Sequence, residues 1–236
     1  MMRYLFGGLL ALSLVACYAP SFETCSTDFE FTRVEVIKAT TRVADNSREA
    51  TVKVFSLRPG GKAFGTGTVF KYKGQVVILT AAHVISDTKN IIVVDTGYQE
   101  LLATVVYMDS ISDIAVITVT GDLGIKPLPL RPVREGNIKI GTDVLYSGFP
   151  NDIGLLTVEG YITGIHRHGD LYMHSYGWPG ASGSAVFTND GRLVGVLVAL
   201  DVGSGLLGMP NIIEDVVIVV PVWKLNLKVL DLNLSL

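Results

Sequence analysis

The chain has 236 residues, of which 49% are hydrophobic and 17% charged, a composition that forms a packed core and excludes an intrinsically disordered protein. Its formal net charge is −3, from 19 basic and 22 acidic side chains. Because the basic residues are scattered along the chain rather than clustered, we expect no nucleic-acid partner.

The first predicted element is an export signal. Arg3 gives a positive start, and the apolar run that follows, residues 4–16, is shorter than a bilayer-spanning helix needs. The stretch LVAC at residues 14–17 resembles the lipobox of bacterial lipoproteins, in which the cysteine becomes the lipidated N-terminus. The alternative is an ordinary signal peptide cut after Ala19. We therefore expect an exported protein, either in the cell envelope or periplasm as a lipoprotein tethered to the membrane through lipidated Cys17, or secreted.

A polar lead-in is expected to follow the signal. Its last part, TTRVADNSRE, is typical of a flexible or loosely packed segment. Cys17 and Cys25 are the two cysteines of the chain, so Cys25 has no intramolecular partner if Cys17 is lipidated or removed. The folded body then has no disulfide framework, and its stability depends on the core.

From Ala50 onward, short β-branched runs alternate with turn sequences, which predicts strands. A connector with three prolines, GDLGIKPLPLRPVREG, separates two halves of similar size. Asp190-Gly191 is a strong hairpin signal, and the run VVIVVPV is too short for a membrane helix and is broken by Pro221. The runs of the first half are ATVKVFSL, GTVFKY, QVVILTAA, NIIVVDT, LLATVVYM and DIAVITV, and those of the second are DVLYSGF, LLTVEGYITGI, DLYMHSY, GSAVFT, RLVGVLVAL and VVIVVPVW.

These runs predict an all-β fold of two small barrels packed on each other. Helices are expected only as a turn after Ala81 and at the C-terminus from Trp223, because no long stretch has an apolar period of 3.6 residues. The expected organisation is a signal peptide at 1–16, a lead-in at 17–48, a first barrel at 49–122, a linker at 123–135, a second barrel at 136–225 and a tail at 226–236.

Three short motifs contain side chains suited to nucleophilic catalysis. His83 lies in ILTAAHVI, Asp113 in DSISDIAVITV and Ser182 in GASGSAV. Each motif alone is also explained by a cap, a turn former or a tight turn. Together they follow the order His, Asp, Ser, which is that of the chymotrypsin branch of triad hydrolases and not the Ser, Asp, His order of α/β-hydrolases.

The stretches TAAHV, SDIAV and GASGS resemble the three signature stretches of trypsin-like serine peptidases. The similarity is closest to the HtrA/Deg-type bacterial branch, which YSGFPNDIGLLTVEGYITGI and SGSAVFTNDGRLVGV also resemble. The likeness covers residues 50–222. It implies two packed six-stranded antiparallel β-barrels with the active site in the cleft between them.

The resemblance also implies the roles of individual residues. Ser182 would be the nucleophile, His83 the general base and Asp113 the acid that orients the imidazole. Asp109 stays open as an alternative acid, because it lies on the same face as Asp113 if the segment is extended. The backbone N–H groups of Gly180 and Ser182 would form the oxyanion hole. No cofactor is implied.

The primary specificity pocket would be lined by Tyr176 and the strand Val198, Ala199 and Leu200. None of these side chains is charged, so the pocket favours a small or medium aliphatic residue before the scissile bond.

Two positions depart from the family pattern. Ser184 stands where a second glycine is usual, which puts the loop geometry in question. Ala181 stands where trypsin has an aspartate that pairs with its new N-terminus. We therefore expect no trypsin-style zymogen switch.

The histidines His166, His168 and His174 suggest a metal site, but no cysteine or carboxylate completes a familiar ligand set. We therefore interpret them as polar residues of a surface hairpin and predict no metal.

The function predicted is a serine endopeptidase that cleaves a peptide or protein substrate through an acyl-enzyme. The alternative is a catalytically silent protease-like module that binds at a cell or virion surface. The sequence does not indicate the oligomeric state.

Overall fold

The computed structural model describes residues 41–58, 60–88, 90–95, 97–166, 168–204 and 210–235, and at 199–204 and 210–214 it describes the backbone only. The predicted signal peptide, Cys17 and Cys25 lie outside these residues. The membrane tether therefore stays a prediction. In the described ranges no helix is both long and apolar enough to cross a bilayer.

The first half of the chain forms a closed antiparallel barrel in the order β1-β4-β5-β6-β3-β2, with β2 pairing back to β1. Along these strands, residues that point inward are buried and apolar, such as Val52 and Val54 on β1, as the two-residue period of a strand requires. A two-residue strand, β7, adds to β2 in parallel. The strands are β1 (Thr51–Arg58), β2 (Gly61–Tyr72), β3 (Gln75–Thr80), β4 (Asn90–Val94), β5 (Glu100–Asp109), β6 (Ile114–Val119) and β7 (Leu128–Pro129).

The second half forms another closed barrel, in the order β10-β13-β12-β11-β8-β9. The predicted hairpin at Asp190-Gly191 is confirmed, because β11 and β12 pair on either side of it and Gly191 adopts φ +77°. The all-β prediction with two six-stranded barrels is confirmed as well. The strands are β8 (Asp143–Gly148), β9 (Leu156–Ile165), β10 (Leu171–His174), β11 (Ala185–Thr188), β12 (Leu193–Ser204) and β13 (Pro210–Pro221).

Among the described residues, three α-helices flank the barrels. Two lie where the sequence predicts them, α2 (Ala82–Ile85) directly after Ala81 and α3 (Leu227–Leu234) near the C-terminus. The helix α1 (Arg42–Glu49) lies in the segment expected to be loosely packed, and that expectation is wrong. Its buried face consists of Ala44 and Ser47, which are too small and too polar to give an apolar period.

The two barrels share a core and hydrogen bond to each other. One cluster of buried apolar side chains runs from Val52 in the first barrel to Leu145 in the second. The rings of Phe70 and Phe187 lie 6.0 Å apart across the junction. At the same junction the N–H of Thr66 on β2 donates to the carbonyl of Ser182 at 2.8 Å. The loop that precedes β11 is thereby held against the end of the first barrel where α2 lies.

Candidate active site

His83 lies on the single helical turn α2, which follows the buried strand β3. Ala81 and Ala82 are buried at its start, and Val84 and Ile85 are buried at its end, so packing holds the turn on both sides of His83. The side chain of His83 is the one that faces outward, with 47% of it exposed. The local sequence TAAHV therefore presents an imidazole at the surface of a rigid element.

Asp113 holds both the backbone and the ring of His83. One carboxylate oxygen accepts the His83 backbone N–H at 2.7 Å, and the other lies 2.6 Å from the ring Nδ1. The carbonyl of Asp113 also accepts the N–H of Ala82 at 3.2 Å. A carboxylate at Nδ1 favours the tautomer with hydrogen on that nitrogen, which leaves Nε2 free to accept a proton.

Asp109, the alternative acid, caps the turn between β5 and β6 instead. Its Oδ1 accepts the backbone N–H groups of Ile111 at 2.9 Å and Ser112 at 3.3 Å. Burial would raise the pKa of the Asp109 carboxyl, but hydrogen bonds from Ser112 and Ile111 outweigh it and lower that pKa. The structure therefore pairs His83 with Asp113 and gives Asp109 a separate role in the turn.

Ser182 lies on a tight loop pressed against the first barrel. Gly183 adopts φ +93°, and a Cβ there would lie 2.0 Å from the carbonyl oxygen of Thr66, so only glycine fits. A Cβ at Gly65 would lie 2.6 Å from Val84 and 2.8 Å from the carbonyl oxygen of Ser182. The helix that bears His83 and the loop that bears Ser182 therefore meet at this glycine.

The hydroxyl of Ser182 points to the second barrel. Its Oγ donates to the carbonyl of Val198 on β12 at 3.4 Å, which is a long hydrogen bond. In the part of the chain that the structure describes, no hydrogen bond joins Ser182 to His83. A nucleophile–base hydrogen bond requires rotation of the Ser182 side chain away from Val198.

Ser184, the departure from the family pattern, fits the loop without an unpaired polar atom. It is fully buried, and its hydroxyl donates to the carbonyl of Ala181 at 2.7 Å. A Cβ at Gly148 would lie 2.3 Å from the Ser184 hydroxyl oxygen, so the facing glycine makes room for it. The serine is tolerated because a partner and space are both present.

The backbone N–H groups of Gly180 and Ser182 donate to no acceptor among the described residues. Gly180 adopts φ +94°, and a Cβ there would lie 2.5 Å from both the Phe149 carbonyl oxygen and the Phe64 ring. Its carbonyl accepts from the Thr66 hydroxyl at 2.7 Å, which holds the peptide between Gly180 and Ala181 in place. An oxyanion hole requires backbone donors without an acceptor in the resting protein, and these two N–H groups meet that requirement.

Of the residues predicted to line the specificity pocket, the side chains of Ala199 and Leu200 lie outside the described ones. Val198 is buried. Tyr176 is 57% exposed, and its ring stacks on that of Trp178 at 5.6 Å between centroids. Its carbonyl accepts from the Tyr146 hydroxyl at 2.5 Å, and burial raises the pKa of Tyr146. The aliphatic preference stays a prediction.

The three second-barrel histidines lie on and near the β9–β10 hairpin. The rings of His166 and His168 are 5.0 Å apart in its turn, and His174 lies on β10 with Nε2 3.5 Å from Asp215. Within the described ranges no three His, Cys, Asp or Glu side chains converge to hold a metal ion.

Comparison with known proteins places these features in a family. The model of the trypsin-like peptidase domain matches residues 65–196. An HtrA-like serine protease of Staphylococcus aureus is 29% identical over 189 residues, which cover 72% of this chain and 23% of the relative. The chain thus spans about a quarter of the length of the curated relatives it matches.

Solved structures show the same likeness. A serine endoprotease from Yersinia pestis is 25% identical with a TM-score of 0.64, covering 80% of this chain and 65% of that one. The HtrA-type protease AlgW, solved with a tripeptide, is 22% identical with a TM-score of 0.64, and the match covers 80% of this chain and 61% of AlgW. At this identity the likeness supports the fold alone. The resemblance to trypsin-like serine peptidases is therefore confirmed. Since the family model spans more than half of the chain, the protein belongs to the trypsin-like peptidase domain family.

Proposed function

We propose that the protein is a serine endopeptidase that uses Ser182, His83 and Asp113. The observation that carries the proposal is the double hold of Asp113 on His83, at the backbone N–H (2.7 Å) and at the ring Nδ1 (2.6 Å). A carboxylate that only capped a turn would have no reason to contact the ring nitrogen of His83. Family membership supports the same chemistry.

The reaction begins when the Ser182 hydroxyl turns from Val198 to His83. Oγ attacks the carbonyl carbon of the scissile peptide bond while its proton passes to Nε2 of His83. The negative charge that develops on the carbonyl oxygen is stabilised by the N–H groups of Gly180 and Ser182. Asp113 stays ionised and stabilises the imidazolium.

The tetrahedral intermediate then collapses. The C–N bond breaks, and the leaving amine takes the proton from His83 Nε2, which leaves an ester between the substrate and Ser182. Water attacks this acyl-enzyme, gives its proton to His83, and the second collapse releases the acid and restores the Ser182 hydroxyl.

The substrate is a peptide or protein with a small or medium aliphatic residue before the scissile bond. The buried, uncharged Val198 supports this preference, since it offers no partner to a charged side chain. We place the reaction outside the cytoplasm, on the strength of the signal-like N-terminus and the lipobox-like cysteine Cys17.

Labelling with a fluorophosphonate probe tests the proposal. Wild-type protein is expected to be labelled and Ser182→Ala is not, because the probe reacts with an activated serine hydroxyl. Absence of labelling in both would contradict the proposal and would favour a silent binding module. That second candidate has one supporting observation, the Ser182 hydroxyl being bonded to Val198.

A further inference from the structure

Arg58 lies at the end of β1, beside the helical turn that bears His83. It is the last residue of the strand and pairs with Gly61, the first residue of β2. Its Nη2 donates to the carbonyl of His83 at 2.6 Å and lies 3.4 Å from the carbonyl oxygen of Val84. The first contact has the short distance that is typical of a charge-assisted hydrogen bond. The mechanism proposed above gives Arg58 no role.

The carbonyls that Arg58 contacts have no partner inside their own helix. α2 is a single turn, and the last four carbonyls of any helix lack an intrahelical donor. In the described part of the chain, the one other side chain that donates to the His83 carbonyl is Ser86, whose hydroxyl lies at 3.3 Å. Arg58 is therefore the closer of the two side chains that satisfy this carbonyl.

Arg58 and Asp113 hold the two sides of the His83 backbone. Asp113 accepts the N–H at 2.7 Å, and Arg58 donates to the carbonyl at 2.6 Å. These two groups belong to the peptide planes on either side of the His83 Cα, so together they fix the direction in which its Cβ points. The imidazole extends from that Cβ, and its position relative to the Ser182 hydroxyl depends on both contacts. A displacement of about 1 Å in a catalytic group can cost about 10²-fold in rate.

The surroundings of the Arg58 guanidinium make the contact with α2 its main interaction. Its Nε is buried without a hydrogen-bond partner, and no carboxylate of the described residues pairs with it. A buried N–H without an acceptor destabilises a fold. The unpaired Nε therefore argues against a purely stabilising role, and the charged contact with His83 is what explains the residue.

We infer that Arg58 is a positioning residue for the general base. By holding the His83 carbonyl, it keeps the imidazole where Nε2 can take the proton of Ser182, as Asp113 does from the N–H side. The inference rests on the proposed endopeptidase function. It adds a residue of β1 that lies outside the three motifs that indicate the family.

Fluorophosphonate labelling rates of the full chain test the inference. Arg58→Met removes the donors and keeps an apolar stem, and it should lower the rate constant for labelling of Ser182 about 10-fold or more. Arg58→Lys keeps a charged donor that can reach the same carbonyl, so it should restore most of the wild-type rate. The matched control is Lys71→Met, which removes an exposed cation at the other end of β2 from Gly61 and should label at the wild-type rate.

The His83→Ala background separates positioning from a structural role. Once the imidazole is gone there is no base to orient, so adding Arg58→Met should leave the slow residual labelling unchanged. An equal loss in both backgrounds would overturn the inference, because the effect would then reach Ser182 without passing through His83. A lysine variant as slow as the methionine variant would overturn it too, since the contact needs only one charged donor.

Thermal unfolding identifies a variant that does not fold. If Arg58→Met fails to fold, Arg58→Gln, whose amide is too short to reach the carbonyl, takes its place in the same comparisons. A wild-type labelling rate in the folded variant would overturn the inference alone. Absence of labelling in the wild type would overturn the proposed function and this inference with it.

Discussion

Asp113 shows how strongly one side chain can be constrained. Its backbone lies in the left-handed region at φ +55°, which aspartate tolerates better than most residues. Its carbonyl and both carboxylate oxygens each accept a hydrogen bond from α2. These three contacts fix the position of Asp113 against α2. Because one of them is to the ring nitrogen, the ring of His83 is oriented before any substrate binds, which is the arrangement that efficient proton transfer requires.

Asp113→Asn should reduce fluorophosphonate labelling of Ser182 by about 10³- to 10⁴-fold. The amide can hold the geometry, but it neither stabilises the imidazolium nor favours the productive tautomer. The matched control is Asp109→Asn, four residues earlier, which should label at nearly the wild-type rate. Equal losses in the two variants would mean that Asp113 is not the residue that supports His83.

Asp109 should instead affect stability, and in a pH-dependent way. Its carboxyl pKa is lowered in the folded protein, so the charged form stabilises the fold above the unfolded pKa, and this contribution disappears as the pH falls through the folded value. The free energy of unfolding of Asp109→Asn should therefore be below that of the wild type at pH 6. The difference should shrink as the pH is lowered through 4 towards 3, measured by urea unfolding. A difference that grew on acidification would contradict the assignment.

Among the secondary-structure elements, α1 shows how a polar segment becomes part of the fold. The Thr41 hydroxyl accepts the N–H of Ala44 at 3.1 Å and caps the helix. Arg48 donates to the carbonyl of Leu155 and to the hydroxyl of Thr157, each at 3.1 Å. The helix thus joins the second barrel, at β9 and the residue before it, by specific hydrogen bonds rather than by a large apolar face.

Thr41→Ala should lower the free energy of unfolding by about 0.5–2 kcal/mol, since a helix N–H loses its acceptor. Thr41→Ser keeps the hydroxyl and should retain most of the wild-type stability. Urea unfolding of the three proteins measures both effects. Equal stabilities of the alanine and serine variants would show that α1 contributes little to the cooperative unit.

Across the whole molecule, the candidate site exists only where the two barrels meet. Thr66 of the first barrel donates its hydroxyl hydrogen to the Gly180 carbonyl at 2.7 Å and accepts the Phe149 N–H at 3.1 Å. Its side chain is fully buried. One hydroxyl therefore connects β2 to the oxyanion loop and to the segment after β8.

Thr66→Val should lower the free energy of unfolding by about 2–4 kcal/mol, because it leaves a buried carbonyl and a buried N–H without partners. Labelling of Ser182 should also slow, since the Gly180 peptide is no longer held. Thr66→Ser should restore both properties. If labelling by the valine variant stayed at the wild-type rate, the hydroxyl would matter for stability alone.

Much of this architecture is encoded in short stretches and can be predicted from the amino-acid sequence. The alternation of β-branched residues predicts twelve strands in two halves, because a strand facing a core needs an inward apolar residue at every second position. The motifs around His83, Asp113 and Ser182 are short, so their order and spacing indicate the family without any knowledge of contacts.

Other features depend on residues far apart in the chain, and only the tertiary structure decides them. Asp109 and Asp113 are equivalent in an extended segment, and their contacts with the turn and with α2 tell them apart. α1 is held by hydrogen bonds from Arg48 to residues far along the chain and by two small buried side chains, neither of which its own polar sequence reveals. Likewise, the direction of the Ser182 hydroxyl depends on the carbonyl of Val198, sixteen residues away. Local pattern specifies which elements form, whereas long-range contacts determine which of several suitable side chains is used.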